Sequence, residues 1–265
     1  MTGEPGHVPP ASPWSITLTY RHEHLWWSGA DDAPESWHVS ADIFDDSGTH
    51  AGSHAGDINI VLIDVDDTRD PFGLLDGEDA DLGLIAETIF DAAGGGLHPD
   101  LDMQLEPLGS RILILNSVRL AAEWRGFGLG VLLAGTAIKK LSGGVRAAVC
   151  YPAPIDDLIG HPRNGQGDPA ERQKAVAALD RVWAKLGFEH FRNGIHVLDL
   201  NLTTLDENLA QLRKHAERYT PSATDQTPRA NGDTPNNTAN RDPSRSPSVS
   251  TVSPIGRTGH QDHFG

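Results

Sequence analysis

The stretch RILILNSVRLAAEWRGFGLGVLLAGTAIKKL, residues 111–141, decides the fold. Its opening, Arg111 to Leu120, carries the apolar run Ile112, Leu113, Ile114 and Leu115 and reads as a buried strand. Its end, Leu129 to Leu141, keeps helical spacing and stops before Gly143 and Gly144, so it reads as a helix. Between them stands Arg125-Gly126-Phe127-Gly128-Leu129-Gly130. Glycines let the backbone turn tightly and meet a ligand with no Cβ in the way. The first turn of the helix exposes unpaired N–H groups at the positive end of its dipole. Strand, glycine turn and helix in that order form a cradle for phosphate oxygens, to which Arg125 adds a planar, permanently charged fork. Two common phosphate motifs fail on spacing. A dinucleotide fingerprint needs glycine at Val131, and a P-loop needs Lys followed by Ser or Thr near the helix start.

Downstream, Val145 to Tyr151 reads as a strand, Pro169 to Leu186 as a helix after a Gly- and Pro-rich loop, and Ile195 to Leu202 as the strand that closes the sheet. A short helix follows, announced by Thr204 and Glu207 as a capping box, with Leu205, Leu209 and Leu212 on one face. Upstream, Ser15 to Tyr20, Trp37 to Phe44 and Asp57 to Val65 read as strands. Asp81 is then the expected cap of a helix bearing Leu82, Ile85 and Ile89 and ended by Gly94, Gly95 and Gly96. Strands first, then alternating strand and helix, predict an α/β (α+β) fold with a mixed, mostly antiparallel central sheet and flanking helices. From Tyr219 onward the chain is Ser, Thr, Pro, Asn, Asp and Gly with almost no apolar residue, which cannot offset the entropy of ordering it. The expected organisation is a flexible N-terminus over 1–13, one domain over 14–218 and a disordered tail over 219–265.

The chain has 265 residues, with 37 acidic side chains against 21 basic ones and a net charge of −16. Its distribution is uneven. Residues 1–110 hold 22 Asp or Glu against only Arg21 and Arg69, whereas 111–218 hold 15 basic and 11 acidic residues. Repulsion makes nucleic acid an unsuitable partner for the acidic half. Cys150 is the single cysteine, so no internal disulfide forms. No stretch approaches the roughly 18 apolar residues of a membrane span. Residues 1–14 hold four prolines, no Lys or Arg and no apolar run, unlike a secretory leader. The expectation is a cytoplasmic protein without membrane or nucleic-acid partners; the oligomeric state is not readable.

The 125–130 segment resembles the acetyl-CoA binding motif of the GCN5-related N-acetyltransferases, in which a strand leads into Arg or Gln, two residues, Gly, one residue, then Gly or Ala. Arg125, Gly128 and Gly130 fill those positions and Gly126 matches the commonest version. A second likeness is Val182-Trp183-Ala184-Lys185-Leu186-Gly187-Phe188, an aromatic helix end before the last strand. Together they cover about 111–202. The resemblance implies an acyl-CoA N-acyltransferase-like fold with a V-shaped split between the 111–120 and 145–151 strands. It makes 14–110 an acidic N-terminal half, 111–202 a CoA-binding half and 203–218 a C-terminal helix. It implies that the backbone of Val118 and Leu120 bonds the pantetheine arm of acetyl-CoA, the co-substrate. Arg125, Gly126, Phe127, Gly128, Leu129, Gly130 and Val131 then hold the pyrophosphate, with side-chain identity at Val118, Phe127 and Leu129 loosely constrained. The reaction implied is direct attack of an amine on the thioester, and the acidic half suits a cationic acceptor.

Two positions depart from the family. Where many relatives carry a proton-donating tyrosine stands Trp183, and where some place a glutamate base stands Ile114. Asn116, two residues on and on the same strand face as Ile114, orients a water but is no base. Tyr151 is the nearest hydroxyl and the candidate acid. These departures keep an alternative open: a catalytically silent acyl-CoA-binding or protein-interaction module. Cys150 in Ala147-Ala148-Val149-Cys150 reads as a buried small hydrophobe. The run Asp64, Asp66, Asp67 and Asp70 fails calcium-loop spacing, and His22-Glu23-His24 lacks a third ligand, so no metal is expected. Trp26 and Trp27 read as core anchors or the lining of an acceptor pocket.

Overall fold

Buried strands pair through the ladder that leaves the fewest backbone groups unsatisfied, and here that ladder is one open sheet. The computed structural model describes residues 8–44, 54–91, 96–153 and 169–219, all within one compact unit, Met1–Ser222. Its strands are β1 (Ile16–His22), β2 (Glu35–Ile43), β3 (His54–Asp64), β4 (Arg111–Leu120), β5 (Val145–Cys150), β6 (Glu189–Arg192) and β7 (Ile195–Asp199). They lie in the order β1-β2-β3-β4-β5-β7-β6. Among the described residues only β4 and β5 pair in parallel; the other pairs are antiparallel. The chain is thus a mixed α/β fold around a mostly antiparallel sheet. Among the described residues no helix is long and apolar enough to cross a membrane.

Helices cover both faces. On the first, α4 (Leu129–Leu141), the end of α5 (Pro169–Trp183) and α6 (Thr204–Ala216) bury Leu133, Ile138, Trp183 and Leu209 against Ile58, Leu113 and Leu198. On the second, α1 (Pro71–Asp76), α2 (Ala80–Ile89) and α3 (Pro99–Asp102) bury Leu75, Ile85 and Leu101 against Ile63, Ile112 and Val149. The alternation of β4 is what feeds both layers, Ile112 and Ile114 going to one and Leu113 and Leu115 to the other.

The 111–120 strand and the 129–141 helix stand at the expected bounds. Elsewhere local chemistry moved the ends. Asp79, not Asp81, caps α2, its carboxylate accepting the Asp81 N–H at 2.9 Å. Helix α2 closes at Phe90, which bridges to Leu97; Gly94 and Gly95 lie outside the described residues. Thr203, not Thr204, precedes α6, with its hydroxyl 2.7 Å from Glu207 Oε1. The closing strand ends at Asp199 and is not the sheet edge, because β6 forms a hairpin with it. Asn193 and Gly194 make that turn at φ 52° and 78°, the left-handed pair that joins two twisted strands tightly. Tyr219, placed at the start of the tail on composition, instead completes a short 3₁₀ turn, Glu217–Tyr219, after α6. The rest of the expected tail and residues 1–7 lie outside the described residues.

Candidate functional site

Strand β4 outruns its parallel neighbour. Pairing with β5 runs from Arg111 opposite Val145 to Leu115 opposite Cys150 and ends there. From Ser117 to Leu120, β4 pairs with β3 alone among the described residues. Along that pairing the register slips, with Ser117 opposite Asn59 and Leu115 opposite Ile60, so Asn116 is an extra, bulged residue. The bulge reverses the alternation. Beyond it Val118 and Leu120 pack toward the layer that holds Leu113 and Leu115. Asn116 borders a groove beside Asn59 and Val61, on the side of the sheet where Ile114 is buried, as well as the cavity described next. Ser117 joins that face, and its hydroxyl accepts the Asn59 Nδ2–H at 2.8 Å.

Where the two strands part lies a cavity of about 770 Å³. Ala175, Leu179, Val182 and Trp183 of α5 wall it on the first face of the sheet, and Asp79 and Asp81, at the start of α2, stand on the second. The cavity therefore passes through the plane of the sheet, between Asn116, Ser117 and Val118 on one side and Cys150 and Tyr151 on the other. Tyr151 is half-buried at the end of β5. Trp183 is 9 % exposed and packs edge-on to Phe188 at 6.1 Å. Ile114 is fully buried in the second layer and offers the cavity nothing. Burial first, and then the charge of Asp180, push the Cys150 thiol well above its ordinary range, so it stays protonated and non-nucleophilic.

Beyond Leu120 comes a 3₁₀ turn, Ala122–Trp124, then the glycine loop into α4. Gly126 and Gly128 sit at φ 86° and 76°, the left-handed region that costs glycine nothing. Gly128 is the N-cap of α4, and no side chain among the described residues caps the first-turn N–H groups. A Cβ built on Gly128 meets nothing within 4 Å among the described residues. Arg125 folds back, its Nε–H bonding the Leu120 carbonyl at 2.8 Å and tying the loop to β4. The buried Trp124 indole N–H has no partner among the described residues. Phe127, Leu129 and Val131 are at most 3 % exposed. Packing thus fixes Phe127 and Leu129, contrary to the loose constraint expected of them. An uncapped helix N-terminus, a left-handed glycine turn and a β4 edge unpaired among the described residues thus follow one another along this connection.

The other constellations lie away from this cavity. His22 stacks on His24 and Trp37 at 5.3 and 5.0 Å. Trp26 and Trp27, at 91 % and 61 % exposure, anchor no core and do not line the cavity. The polar run of the sequence is used structurally: Asp64 accepts the Asp66 N–H, and Asp70 caps α1. Sequence reasoning missed a chain of charges across β2 and β3. His54 sits between Asp42 and Asp57 at 2.8 and 2.9 Å, and His38 reaches the other oxygen of Asp57 at 2.9 Å. Its signal is visible only once the strand register is known. Among the described residues no cluster of His, Cys, Asp and Glu has the arrangement of a metal site. No protein-family model matches the chain, and no curated protein matches it.

Proposed function

We propose that the chain is a GCN5-related N-acetyltransferase, with the acyl-CoA N-acyltransferase-like fold, that moves an acetyl group from acetyl-CoA to an amine. The observation that carries this reading is the cavity through the sheet at the β4–β5 split, with the uncapped glycine loop of α4 just beyond the open edge of β4. A cavity lined from both faces suits two reactants that meet end to end, and holding them so supplies much of a bimolecular rate.

The unpaired edge of β4 around Val118 and Leu120 offers backbone groups to the pantetheine amides. The first-turn N–H groups from Leu129 to Val131, with the Arg125 guanidinium, take the pyrophosphate. Acetyl-CoA supplies an acyl carbon activated by its thioester. The amine nitrogen bonds that carbon, the C–S bond breaks, and sulfur leaves as thiolate. Tyr151 is the hydroxyl lining the cavity that can return a proton to it, and Asn116 orients the water that carries away the proton of the amine. Asp79 and Asp81 stand at the second-face side of the cavity and favour a cationic acceptor, which approaches from the acidic half.

Isothermal titration of the full chain with acetyl-CoA tests the reading. Binding that weakens in the Arg125→Ala, Gly128→Ala double variant supports it, and no binding up to millimolar ligand ends it. Ile114 in the core and Trp183 on the cavity wall favour a second reading, a silent acyl-CoA-binding or interaction module. Thiol release over a panel of amines separates the two, because sustained CoA release above hydrolysis rejects the silent module.

A further inference from the structure

Helix α6 runs antiparallel to α4. Near its start, Asp206 accepts a 2.8 Å bond from Lys139 Nζ in the last turn of α4. Midway, a Cβ built on Gly135 of α4 would come within 2.9 Å of Leu209. At its far end the Tyr219 ring meets Phe127, inside the glycine loop, edge-on at 5.2 Å. These three contacts bring the last turn of α6 to the mouth of the loop that precedes α4.

That turn is basic on balance, with Arg213, Lys214 and His215 followed by Glu217 and Arg218. Arg218 is held by neutral partners. Its Nε–H bonds the His215 carbonyl at 3.0 Å, an Nη–H points to His215 Nδ1, and its guanidinium lies 5.8 Å from the Tyr219 ring centre. No carboxylate pairs with it among the described residues. Lys185, from the turn after α5, shares this corner. Burial, then the charges of Arg218 and Lys185, lower the proton affinity of His215. The corner is thus a patch of positive potential beside the loop, where a helix C-terminus alone would be weakly negative.

We propose that Arg218, with Lys185 and His215 beside it, is the subsite for the terminal phosphomonoester of the CoA nucleotide, the 3′-phosphate on its ribose. The inference rests on the acetyl-CoA reading above. A phosphomonoester carries nearly two negative charges at neutral pH and accepts a planar guanidinium fork. Tyr219 links the two: its ring meets Phe127 of the loop edge-on and has the Arg218 guanidinium 5.8 Å from its centre.

Titration of the full chain with CoA and with dephospho-CoA tests this. The expected result is that the native chain binds CoA about tenfold more tightly, the worth of one charge-assisted hydrogen bond. Arg218→Ala should remove most of that ratio while leaving dephospho-CoA affinity unchanged, and Arg218→Lys should restore part of it. A ratio untouched by Arg218→Ala, or a native chain that does not discriminate, overturns the proposal while the acetyl-CoA reading stands. Equal loss for both ligands in Arg218→Ala marks Arg218 as a prop for the loop and also overturns it. Binding of neither ligand by the native chain removes the reading and the proposal together.

Discussion

Replacing Gly56 by alanine tests how tightly β3 and β4 are held where β4 has lost its other neighbour. Gly56 lies opposite Leu120, at the end of the open stretch of β4. Its φ is outside the left-handed region, so its backbone accepts any residue. The obstacle is space. An added Cβ falls 2.2 Å from the Arg119 carbonyl oxygen and 2.8 Å from Leu120 Cδ2. A backbone oxygen has no rotamer through which to withdraw, so the strands must separate by about an ångström or the ladder must break. Two effects oppose. Losing glycine's freedom in the unfolded chain stabilises by about 0.4–1 kcal/mol, and overpacking costs about 1–3 kcal/mol, with a backbone clash at the upper end. The net is a loss of about 2 kcal/mol. At about 2–4 °C per kcal/mol for a domain of this size, Tm should fall by about 4–8 °C. Gly143→Ala is the control, because its Cβ meets nothing within 4 Å and its φ is also unstrained, so the entropy gain acts alone. Thermal and urea melts of the two variants beside the native chain give the answer. A Gly56→Ala protein as stable as Gly143→Ala would refute the close β3–β4 approach and, with it, the position of the cavity edge.

Other perturbations follow from named contacts. Arg146 has a side chain only 13 % exposed, bonds Asp102 Oδ1 at 2.6 Å, and donates to the carbonyls of Asp102, Leu105 and Glu106. Arg146→Ala should cost about 3 kcal/mol in urea denaturation, and Arg146→Lys should recover less than half, because an ammonium cannot span those acceptors. The hydrogen bonds to Asp42 and Asp57 raise the pKa of His54 despite its partial burial. A pKa raised in the folded state stabilises fully below the unfolded value of about 6.5 and is lost as pH rises through the folded value. The Tm gap between native chain and His54→Gln should therefore be wider at about pH 5.5 than at about pH 9. A gap independent of pH would show that the imidazolium is not held there. Cys150 should react with a maleimide far more slowly in the native chain than in denaturant, since burial keeps its thiol protonated and covered.

What could be read without the fold was whatever local chemistry dictates. The apolar run of Arg111–Leu120 and the glycine stop after Leu141 set β4 and α4 at their observed ends. The order of residue types from Arg125 to Gly130 marked a glycine turn into a helix N-terminus, because left-handed backbone and helix starts are set by the residues that form them. Asn193-Gly194 carried a hairpin signal that was there to be read, and passing over it hid β6. Asp70 and Asp79 look like any acidic loop residue until the backbone turns back to meet them. Asn116 gives no local sign of a bulge, since the bulge comes from the register against Asn59 and Ile60.

The sequence alone determined a mixed sheet, the glycine turn before α4 and the uneven charge, because strand pattern, turn chemistry and net charge depend on neighbours in the chain. The tertiary structure alone decided the rest. The β4–β5 split exists because the parallel pairing stops at Cys150, and the cavity through it draws on α2 and α5, about a hundred residues apart. Tyr219 reaches Phe127 only because α6 doubles back along α4. Contacts of that range depend on how whole elements pack, and no local pattern along the chain encodes them.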